Sequence, residues 1–170
     1  MDVDGVLTDN GLWMGPVAGA RVELKRFDVQ DGLGLVLLRS IGLPVVWLSG
    51  RHSEATTLRA VELKVDEVLQ VPGPTKLAAL DALRQRRELD WEDIAYIGDD
   101  LADLQVLRRV GLPIAVANAV AEVKASAQYV TRAAGGHGAV REAVEAILKG
   151  RGVWDDILER YFSERPAHAG

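Results

Sequence analysis

The sequence predicts an α/β fold, a doubly wound parallel sheet with a β-hairpin inserted after its first strand. Strand-like and helix-like patterns alternate along the chain without a linker or an internal repeat. The candidate strands are short and apolar, as expected for strands covered on both faces. With 170 residues, of which 48% are hydrophobic, the chain is the size of one domain with a full core.

The elements follow one another in regular order. The predicted strands are Pro44 to Leu48, Glu67 to Leu69, Ile94 to Ile97 and Pro113 to Val116. The predicted helices are Leu33 to Ile41, Glu54 to Leu63, Thr75 to Glu88, Leu101 to Val110 and Ala139 to Leu148.

Two segments interrupt this alternation. Residues 11–27 place Gly15-Pro16 and Gly19 between two apolar stretches, which predicts a hairpin. Near the end, one helical stripe is formed by Val153, Trp154, Ile157, Leu158 and Tyr161. We therefore predict a core domain over 1–150 and a helical tail over 151–170, which packs either on its own domain or on another subunit.

The first strand is unusually short in this sequence. Only Met1 precedes Asp2, whereas a strand usually has about 5–6 residues. We expect that the natural product begins earlier. The alternative is an incomplete sheet centre with a charged amino terminus near the site.

Composition excludes several classes of partner. The net charge of −5 and the absence of a basic run argue against nucleic-acid binding. The absence of cysteine excludes disulfides and thiol catalysis. No apolar run reaches the ~18–20 residues of a membrane span. We expect a cytoplasmic protein that acts on a small molecule.

Each of two acidic clusters follows or completes an apolar, strand-like run. The first is Asp2 to Val6, with Asp2 and Asp4, and the second is Gly98-Asp99-Asp100 with Asp103. The carboxyl ends of parallel strands line one crevice, so these carboxylates should meet there. Two like charges about 4 Å apart repel by roughly 4 kcal/mol at an effective dielectric near 20. A hard divalent cation such as Mg²⁺ would make the cluster compatible with an anionic substrate.

The spacing of Asp2 and Asp4 suits a phosphoryl-transfer reaction. In an extended segment, residues i and i+2 share a face, so one carboxylate could attack phosphorus while the other handles a proton. A turn with two solvated acids is the alternative.

Two further segments offer groups for a phosphate. Ser49, in Leu48 to Arg51, presents a hydroxyl and backbone N–H groups at a strand end, although a helix cap explains it equally well. Arg51 is a bidentate donor. Lys76 begins a helix and is a candidate counter-charge for a transferring phosphoryl group.

These motifs, in this order, resemble the haloacid dehalogenase superfamily of phosphatases. The resemblance is carried by Asp2 to Asp9, Leu48 to Arg51, Lys76 and Gly98 to Asp100. Within the superfamily, the chain is similar to the 3-deoxy-D-manno-octulosonate 8-phosphate phosphatases, in the segments Phe27 to Gly32, Tyr129 to Arg132 and Gly135 to Glu142. The resemblance implies a Rossmann-like core without a cap domain. It also implies a homotetramer whose subunits close one another's sites, with the hairpin at the interface.

The resemblance further implies a role for each matching residue. Asp2 would form an aspartyl phosphate, Asp4 would be the general acid and base, and Ser49 and Lys76 would hold the phosphoryl oxygens. Mg²⁺ would be bound by Asp2, the backbone carbonyl of Asp4 and Asp99, with Asp100 and Asp103 in support. The implied substrate-binding residues are Asp4, Asp28, Val29, Gln30, Asp31, Gly32, Gly50, Arg51, Arg59 and Lys76.

Other readings remain open for the substrate and for activity itself. The implied reaction hydrolyses 3-deoxy-D-manno-octulosonate 8-phosphate, for lipopolysaccharide precursor synthesis. Val36 stands where the family usually carries a basic residue, so a nine-carbon ketodeoxy acid 9-phosphate or another sugar phosphate is an alternative. A phospho-accepting receiver-like domain and a weakly active regulatory relative are alternatives of another class. We expect no catalytic role for His52, His137 or His168.

Overall fold

A computed structural model describes residues 1–163 and confirms the doubly wound α/β fold. The strands are β1 (Trp13–Val17), β2 (Ala20–Leu24), β3 (Val46–Ser49), β4 (Glu67–Gln70), β5 (Ala95–Gly98), β6 (Leu112–Ala115) and β7 (Tyr129–Val130). The helices are α1 (Val29–Ser40), α2 (Glu54–Glu62), α3 (Lys76–Arg86), α4 (Leu104–Leu107), α5 (Ala121–Ser126), α6 (Ala139–Gly150) and α7 (Trp154–Ser163). Apart from the β1–β2 hairpin, residues 1–163 contain no insertion that forms a cap domain.

The parallel strands form two groups that residues 1 and 2 connect. β3 pairs with β4, and β6 lies between β5 and β7. Leu48 donates a backbone hydrogen bond of 2.9 Å to the Met1 carbonyl, and Asp2 donates one of 2.9 Å to the Ile97 carbonyl. Met1 and Asp2 therefore occupy a strand position between β3 and β5, and Asp2 lies level with the carboxyl ends of both. A mainly apolar cavity of about 640 Å³ lies beside Met1. Residues 43–46, at the start of β3, and residues 92–97, at the start of β5, line it.

The helices pack in two groups, one formed by α1 with α6 and the other by α3, α4 and α5. Asp28 begins α1 because its Oδ1 accepts the Gln30 backbone N–H at 2.7 Å, so the helix starts earlier than predicted. The predicted helix from Leu101 to Val110 is wrong in form: a 3₁₀ turn precedes the four-residue α4. Neither α5 nor β7 was predicted, because both are too short for a clear periodicity.

The hairpin after the first acidic motif is present, with its turn at a different place. Ala18 and Gly19 have φ of 49° and 82°, the two positive values that a type I′ turn requires. Gly15 and Pro16, predicted as turn residues, lie inside β1. The hairpin is largely exposed, including 73% of Trp13.

The tail helix α7 packs against α6. Ile157 is buried, and the Trp154 ring lies 5.7 Å from the Arg141 guanidinium and 5.0 Å from Lys149 Nζ. These contacts support the proposal that the tail to Ser163 belongs to the same domain as 1–150. His168 and the last part of the predicted tail lie outside the described residues. No helix between residues 1 and 163 has both the length and the apolar character that crossing a membrane demands.

Candidate active site

Three buried aspartates meet at the carboxyl ends of the central strands. Asp2, Asp99 and Asp103 each offer a carboxylate oxygen, and these oxygens all lie within 4.8 Å of one another. Asp2 lies in the central strand position and Asp99 follows β5, so the parallel sheet brings together two motifs that are distant in sequence. Of the two predicted acidic clusters, the structure brings together Asp2, Asp99 and Asp103. The side chains of Asp4 and Asp100, which were expected to join them, have other partners.

Lys76 lies in the middle of this cluster. Its Nζ is 2.9 Å from Asp2 Oδ1 and 2.8 Å from Asp103 Oδ1, and the residue is 1% exposed. Asp103 also accepts hydrogen bonds from the Tyr96 hydroxyl at 2.8 Å and from the Asp99 backbone N–H at 3.0 Å. Asp103 is thus satisfied by the protein, and its contacts fix Lys76 and the Asp99 backbone.

Crowding of carboxylates in a dry site changes their proton affinity. Burial, followed by the charges of Asp2 and Asp103, raises the pKa of Asp99 to about 8. Burial and the charge of Asp103 raise the pKa of Asp2 to about 6, although Lys76 acts in the opposite direction. Burial lowers the pKa of Lys76, but Asp2 and Asp103 together outweigh it, so that this pKa lies above its usual value. The cluster holds more negative charge than one lysine neutralises.

The donor set suits a hard cation. Asp99 Oδ1 is buried and has no hydrogen-bond partner among residues 1–163. A lone pair in that state costs free energy unless a cation or water meets it. Carboxylate oxygens are the ligands that Mg²⁺ and similar ions prefer.

Gly5 lets the two acidic motifs approach each other. Its φ is 87°, and a Cβ at this position would lie 1.9 Å from Asp99 Oδ2. Any larger residue would displace Asp99 or the turn that carries Asp4. The Asp4 carboxylate itself lies outside the aspartate cluster, because its Oδ1 contacts Lys25 Nζ at 2.7 Å.

The turn at Gly5 is also held from the other side of the site. Asn118 donates from Nδ2 to the Gly5 carbonyl at 3.0 Å and accepts the Gly135 backbone N–H at 2.6 Å. Gly135 packs so closely that a Cβ there would lie 1.8 Å from the Gly5 carbonyl oxygen. The glycine-rich segment before α6 therefore supports the turn of the first acidic motif.

Ser49 and its loop border the cluster. Ser49 is fully buried at the end of β3, and its Oγ accepts the Arg51 backbone N–H at 3.2 Å. A Cβ on Gly50 would lie 3.7 Å from Lys76 Cε, which places this loop beside the lysine. The Arg51 side chain, 40% exposed, contacts Glu23 Oε2 at 2.9 Å. The structure thus brings Ser49, Gly50 and Lys76 together, as predicted.

The predicted substrate segment 28–32 lies at the start of α1. Asp28 caps the helix and Val29 is 79% exposed, while Gln30 is exposed near Gly138. Asp31 differs from the expectation, because it is 1% exposed and accepts the Arg141 backbone N–H at 2.8 Å. Its carboxylate faces the amino end of α6 instead of open space.

Arg59 and Gly32 are direct neighbours. A Cβ on Gly32 would lie 2.8 Å from Arg59 Nη2. The guanidinium also lies 6.0 Å from the Phe27 ring and forms an ion pair of 2.8 Å with Glu62. Val36, where the resemblance leads one to expect a basic residue, is 43% exposed on α1.

Asp100 is peripheral in this arrangement. It is exposed, and its Oδ1 accepts the Leu101 backbone N–H at 2.7 Å, so that it caps the 3₁₀ turn. His137 Nε2 lies 3.4 Å from Arg26 Nη1, and His137 Nδ1 lies 2.9 Å from the Gly135 carbonyl oxygen. Neither contact joins His137 to the aspartate cluster.

Sequence reasoning missed four residues at this site: Glu23, Lys25, Tyr96 and Asn118. Glu23 and Lys25 are separated by two positions at the end of β2, so they share one face of an extended segment. That charged pair beside a hairpin was a usable signal. Nothing in the sequence distinguished Tyr96 from a core aromatic residue, or Asn118 from a loop asparagine.

Comparisons with known proteins agree with this geometry. A family model described as haloacid dehalogenase-like hydrolase matches residues 63–143. The 3-deoxy-D-manno-octulosonate 8-phosphate phosphatase of Escherichia coli K12 is 38% identical over 156 residues, which are 92% of this chain and 81% of the relative. The chain belongs to the haloacid dehalogenase-like hydrolases. The predicted class of enzyme, a phosphoric monoester hydrolase, is confirmed by this membership.

Solved structures of the same family superimpose over most of the chain. The 3-deoxy-D-manno-octulosonate 8-phosphate phosphatase of Moraxella catarrhalis, in complex with magnesium, phosphate and KDO, gives a TM-score of 0.88 at 38% identity, covering 94% of this chain and 90% of that one. The cobalt-bound phosphatase of Haemophilus influenzae gives 0.80 at 36% identity, covering 90% and 87%. These relatives and the buried acidic cluster indicate a divalent metal site in this haloacid dehalogenase-like hydrolase.

Proposed function

We propose that this chain is a Mg²⁺-dependent phosphatase that hydrolyses 3-deoxy-D-manno-octulosonate 8-phosphate to the free sugar acid and phosphate. The observation that carries the proposal is the buried cluster of Asp2, Asp99 and Asp103 around one lysine. The names and bound ligands of the relatives in Escherichia coli and Moraxella catarrhalis support the choice of substrate and ion.

The first chemical step belongs to Asp2. A carboxylate oxygen of Asp2 attacks phosphorus, the bond from phosphorus to the sugar oxygen breaks, and an aspartyl phosphate forms. Asp4 gives its proton to the departing sugar oxygen. In the second step Asp4 takes a proton from water, whose oxygen attacks phosphorus and releases phosphate and Asp2.

Lys76 and Ser49 bind the phosphoryl oxygens in this scheme. The buried ammonium of Lys76 lies against Asp2, where negative charge on the phosphoryl group would be concentrated. Asp103, which accepts a hydrogen bond from the Tyr96 hydroxyl, holds that ammonium in place. Asp2, Asp99 and the carbonyl of Asp4 would hold Mg²⁺, with Asp100 and Asp103 in support. The bound ion would offset the repulsion between the carboxylates and the phosphate dianion.

The sugar acid would bind on the side of the hairpin and α1. Arg51 is partly exposed next to Ser49, and Gln30 and Val29 are exposed at the start of α1. Arg59 lies against Gly32, which places a second guanidinium behind this segment. We propose that Asp28, Val29, Gln30, Gly32, Gly50, Arg51 and Arg59 line the sugar subsite, whereas the buried Asp31 carboxylate lies outside it.

Phosphate release from purified protein tests the function. The eight-carbon and nine-carbon ketodeoxy acid phosphates are incubated with Mg²⁺, with EDTA, and with EDTA followed by excess Mg²⁺. We expect release from the eight-carbon substrate that EDTA abolishes and Mg²⁺ restores. Faster release from the nine-carbon substrate would reassign the sugar, and release that survives EDTA would contradict the metal requirement.

We also propose a homotetramer that closes the open site. The hairpin supports it, because Trp13, Met14, Val17 and Leu24 are each at least half exposed. Sedimentation equilibrium of the chain and of a Trp13→Ser, Val17→Ser variant tests this. A monomeric parent chain would contradict the proposal.

A further inference from the structure

Lys25 is the most buried charge near Asp4. Its side chain is 0% exposed, and Nζ lies 2.7 Å from Asp4 Oδ1. Nζ also donates to Thr56 Oγ1 at 3.1 Å. A lysine is almost never fully buried unless it is paired, so this contact is a built feature of the site.

Glu23 is a second carboxylate beside Lys25. Its Oε1 lies 3.7 Å from Lys25 Nζ and accepts the Ser53 hydroxyl at 2.7 Å. Its Oε2 accepts from Arg51 at 2.9 Å. The ammonium of Lys25 is therefore held by groups from β2 and from the start of α2, independently of Asp4.

The two oxygens of Asp4 are in different situations. Oδ1 contacts Lys25, whereas Oδ2 is without a hydrogen-bond partner anywhere in residues 1–163. A group that transfers protons needs one oxygen free and the carboxyl plane fixed. Lys25 supplies that fixation, and no other described cation contacts Asp4.

We infer that Lys25 is a positioning residue for proton transfer, which holds Asp4 through Oδ1 so that Oδ2 can serve the leaving group. The inference rests on the proposed function, and in particular on Asp4 as general acid. It gives the hairpin a part in the chemistry of its own subunit, through the residue that directly follows β2.

The choice of leaving group can distinguish a role of Lys25 in positioning Asp4 from a purely structural role. A sugar alkoxide is a poor leaving group and needs the proton from Asp4. p-Nitrophenolate leaves as a stable anion and needs little protonation. Misplacing Asp4 should therefore slow hydrolysis of the sugar phosphate much more than hydrolysis of p-nitrophenyl phosphate.

The experiment compares Lys25→Met with the parent chain and with Lys149→Met, a control on the exposed side of α6 whose Nζ contacts Glu145. For the sugar phosphate, we expect Lys25→Met to lower kcat by about 10- to 100-fold, within the range of general acid catalysis. KM should change little, and kcat for p-nitrophenyl phosphate should fall by less than about 3-fold. In an Asp4→Asn background, Lys25→Met should lower kcat for the sugar phosphate little further, because the two residues act as a unit.

Equal losses on both esters would assign Lys25 a purely structural role and overturn the inference, and so would an unchanged kcat on the sugar phosphate. If Lys25→Met does not fold, as judged by circular dichroism, Lys25→Arg replaces it and should show the same contrast between esters at smaller size. If the parent chain hydrolyses neither ester, the proposed function itself has failed and the inference falls with it. If the parent chain hydrolyses both esters, the proposed function stands, and the Lys25→Met result alone decides the inference.

Discussion

Two groups of charges flank the Asp2 to Gly5 segment, and they differ in balance. In the aspartate cluster, three buried carboxylates (Asp2, Asp99 and Asp103) face the single cation Lys76. In the hairpin group, the carboxylates of Asp4 and Glu23 face two cations, Lys25 and Arg51. When all three carboxylates are ionised, the first group is incomplete and lacks two positive charges, whereas the charges of the second group balance and that group is complete.

The difference indicates which group awaits a ligand. In the incomplete group, the pKa of Asp99 is raised to about 8, chiefly by burial and then by neighbouring carboxylates. In the complete group, a hydrogen bond from Ser53 contributes most to a lowered pKa of Glu23. A divalent cation matches the missing charge of the first group, whereas the charges of the second group balance without a metal ion.

The largest effect is expected from Asp2→Asn. The amide cannot form an acyl phosphate, so phosphate release should fall by about 10⁴-fold or more, as for nucleophiles of other hydrolases. Steady-state release with saturating Mg²⁺ is the measurement, with the thermal unfolding midpoint as the control for folding. Activity within tenfold of the parent would remove Asp2 from the role of nucleophile.

Asp99→Asn should have the next largest effect, through the cation. The apparent affinity for Mg²⁺ should fall on the order of 100-fold or more, since loss of even an outer-shell partner costs 10- to 100-fold. The increase in unfolding temperature that Mg²⁺ gives the parent measures this without catalysis. An equal increase in the variant would show that the incomplete group is not the metal site.

Asp31 belongs to neither charge group, because its carboxylate faces neither a cation nor the crevice. It therefore serves as a reference for a buried carboxylate without a metal. Burial raises its pKa from 3.8 to about 6. The folded state thus binds more protons than the unfolded state between those values, so its contribution to stability is present below pH 4 and is lost as pH rises to about 6. Asp31→Asn should remove about 3 kcal/mol of this decline in unfolding free energy, at about 1.4 kcal/mol per pKa unit.

Urea unfolding of parent and Asp31→Asn at several pH values from 4 to 7 gives that difference, in which contributions from other carboxylates cancel. It should be the same with and without Mg²⁺, because Asp31 contacts the backbone of α6. A difference that depends on Mg²⁺ would connect Asp31 to the metal and contradict its placement.

The smallest effect is expected for Glu23→Gln, in the complete group. The substitution weakens the contacts with Arg51 and Ser53 and should cost about 1–2 kcal/mol of unfolding free energy. The affinity for Mg²⁺ should change by less than about 2-fold. Isothermal titration with Mg²⁺ and urea unfolding measure the two quantities, and a large loss of Mg²⁺ affinity would mean that the two groups are not separate.

Sequence patterns predicted the incomplete group better than the complete one. Asp99 follows a distinct apolar run and Lys76 begins a helical pattern. The rule that parallel strands present their carboxyl ends together then predicted that Asp2 lies near Asp99. Lys25 lies on an inserted hairpin, whose packing angle against the sheet no local pattern specifies. Its contact with Asp4 could therefore be seen only in three dimensions.

The same limit applies to short elements and to helix ends. The strands β3 to β6 were predicted within about two residues, because their apolar runs are distinct. The short α5 and β7 carry too few residues for periodicity. Asp31 looked like a polar residue at a helix start, but the approach of α6 turned it into a buried hydrogen-bond acceptor.

The contact between Gly135 and Gly5 has a consequence for mutational surveys of this chain. Because no Cβ fits between them, a single methyl group at position 135 would push aside the turn that carries Asp4. Such a protein would keep every reactive side chain, and yet lose turnover. The inactivity of a variant at this position would easily be mistaken for the loss of a catalytic group. Its cause would be a steric clash between the new side chain and the backbone at Gly5.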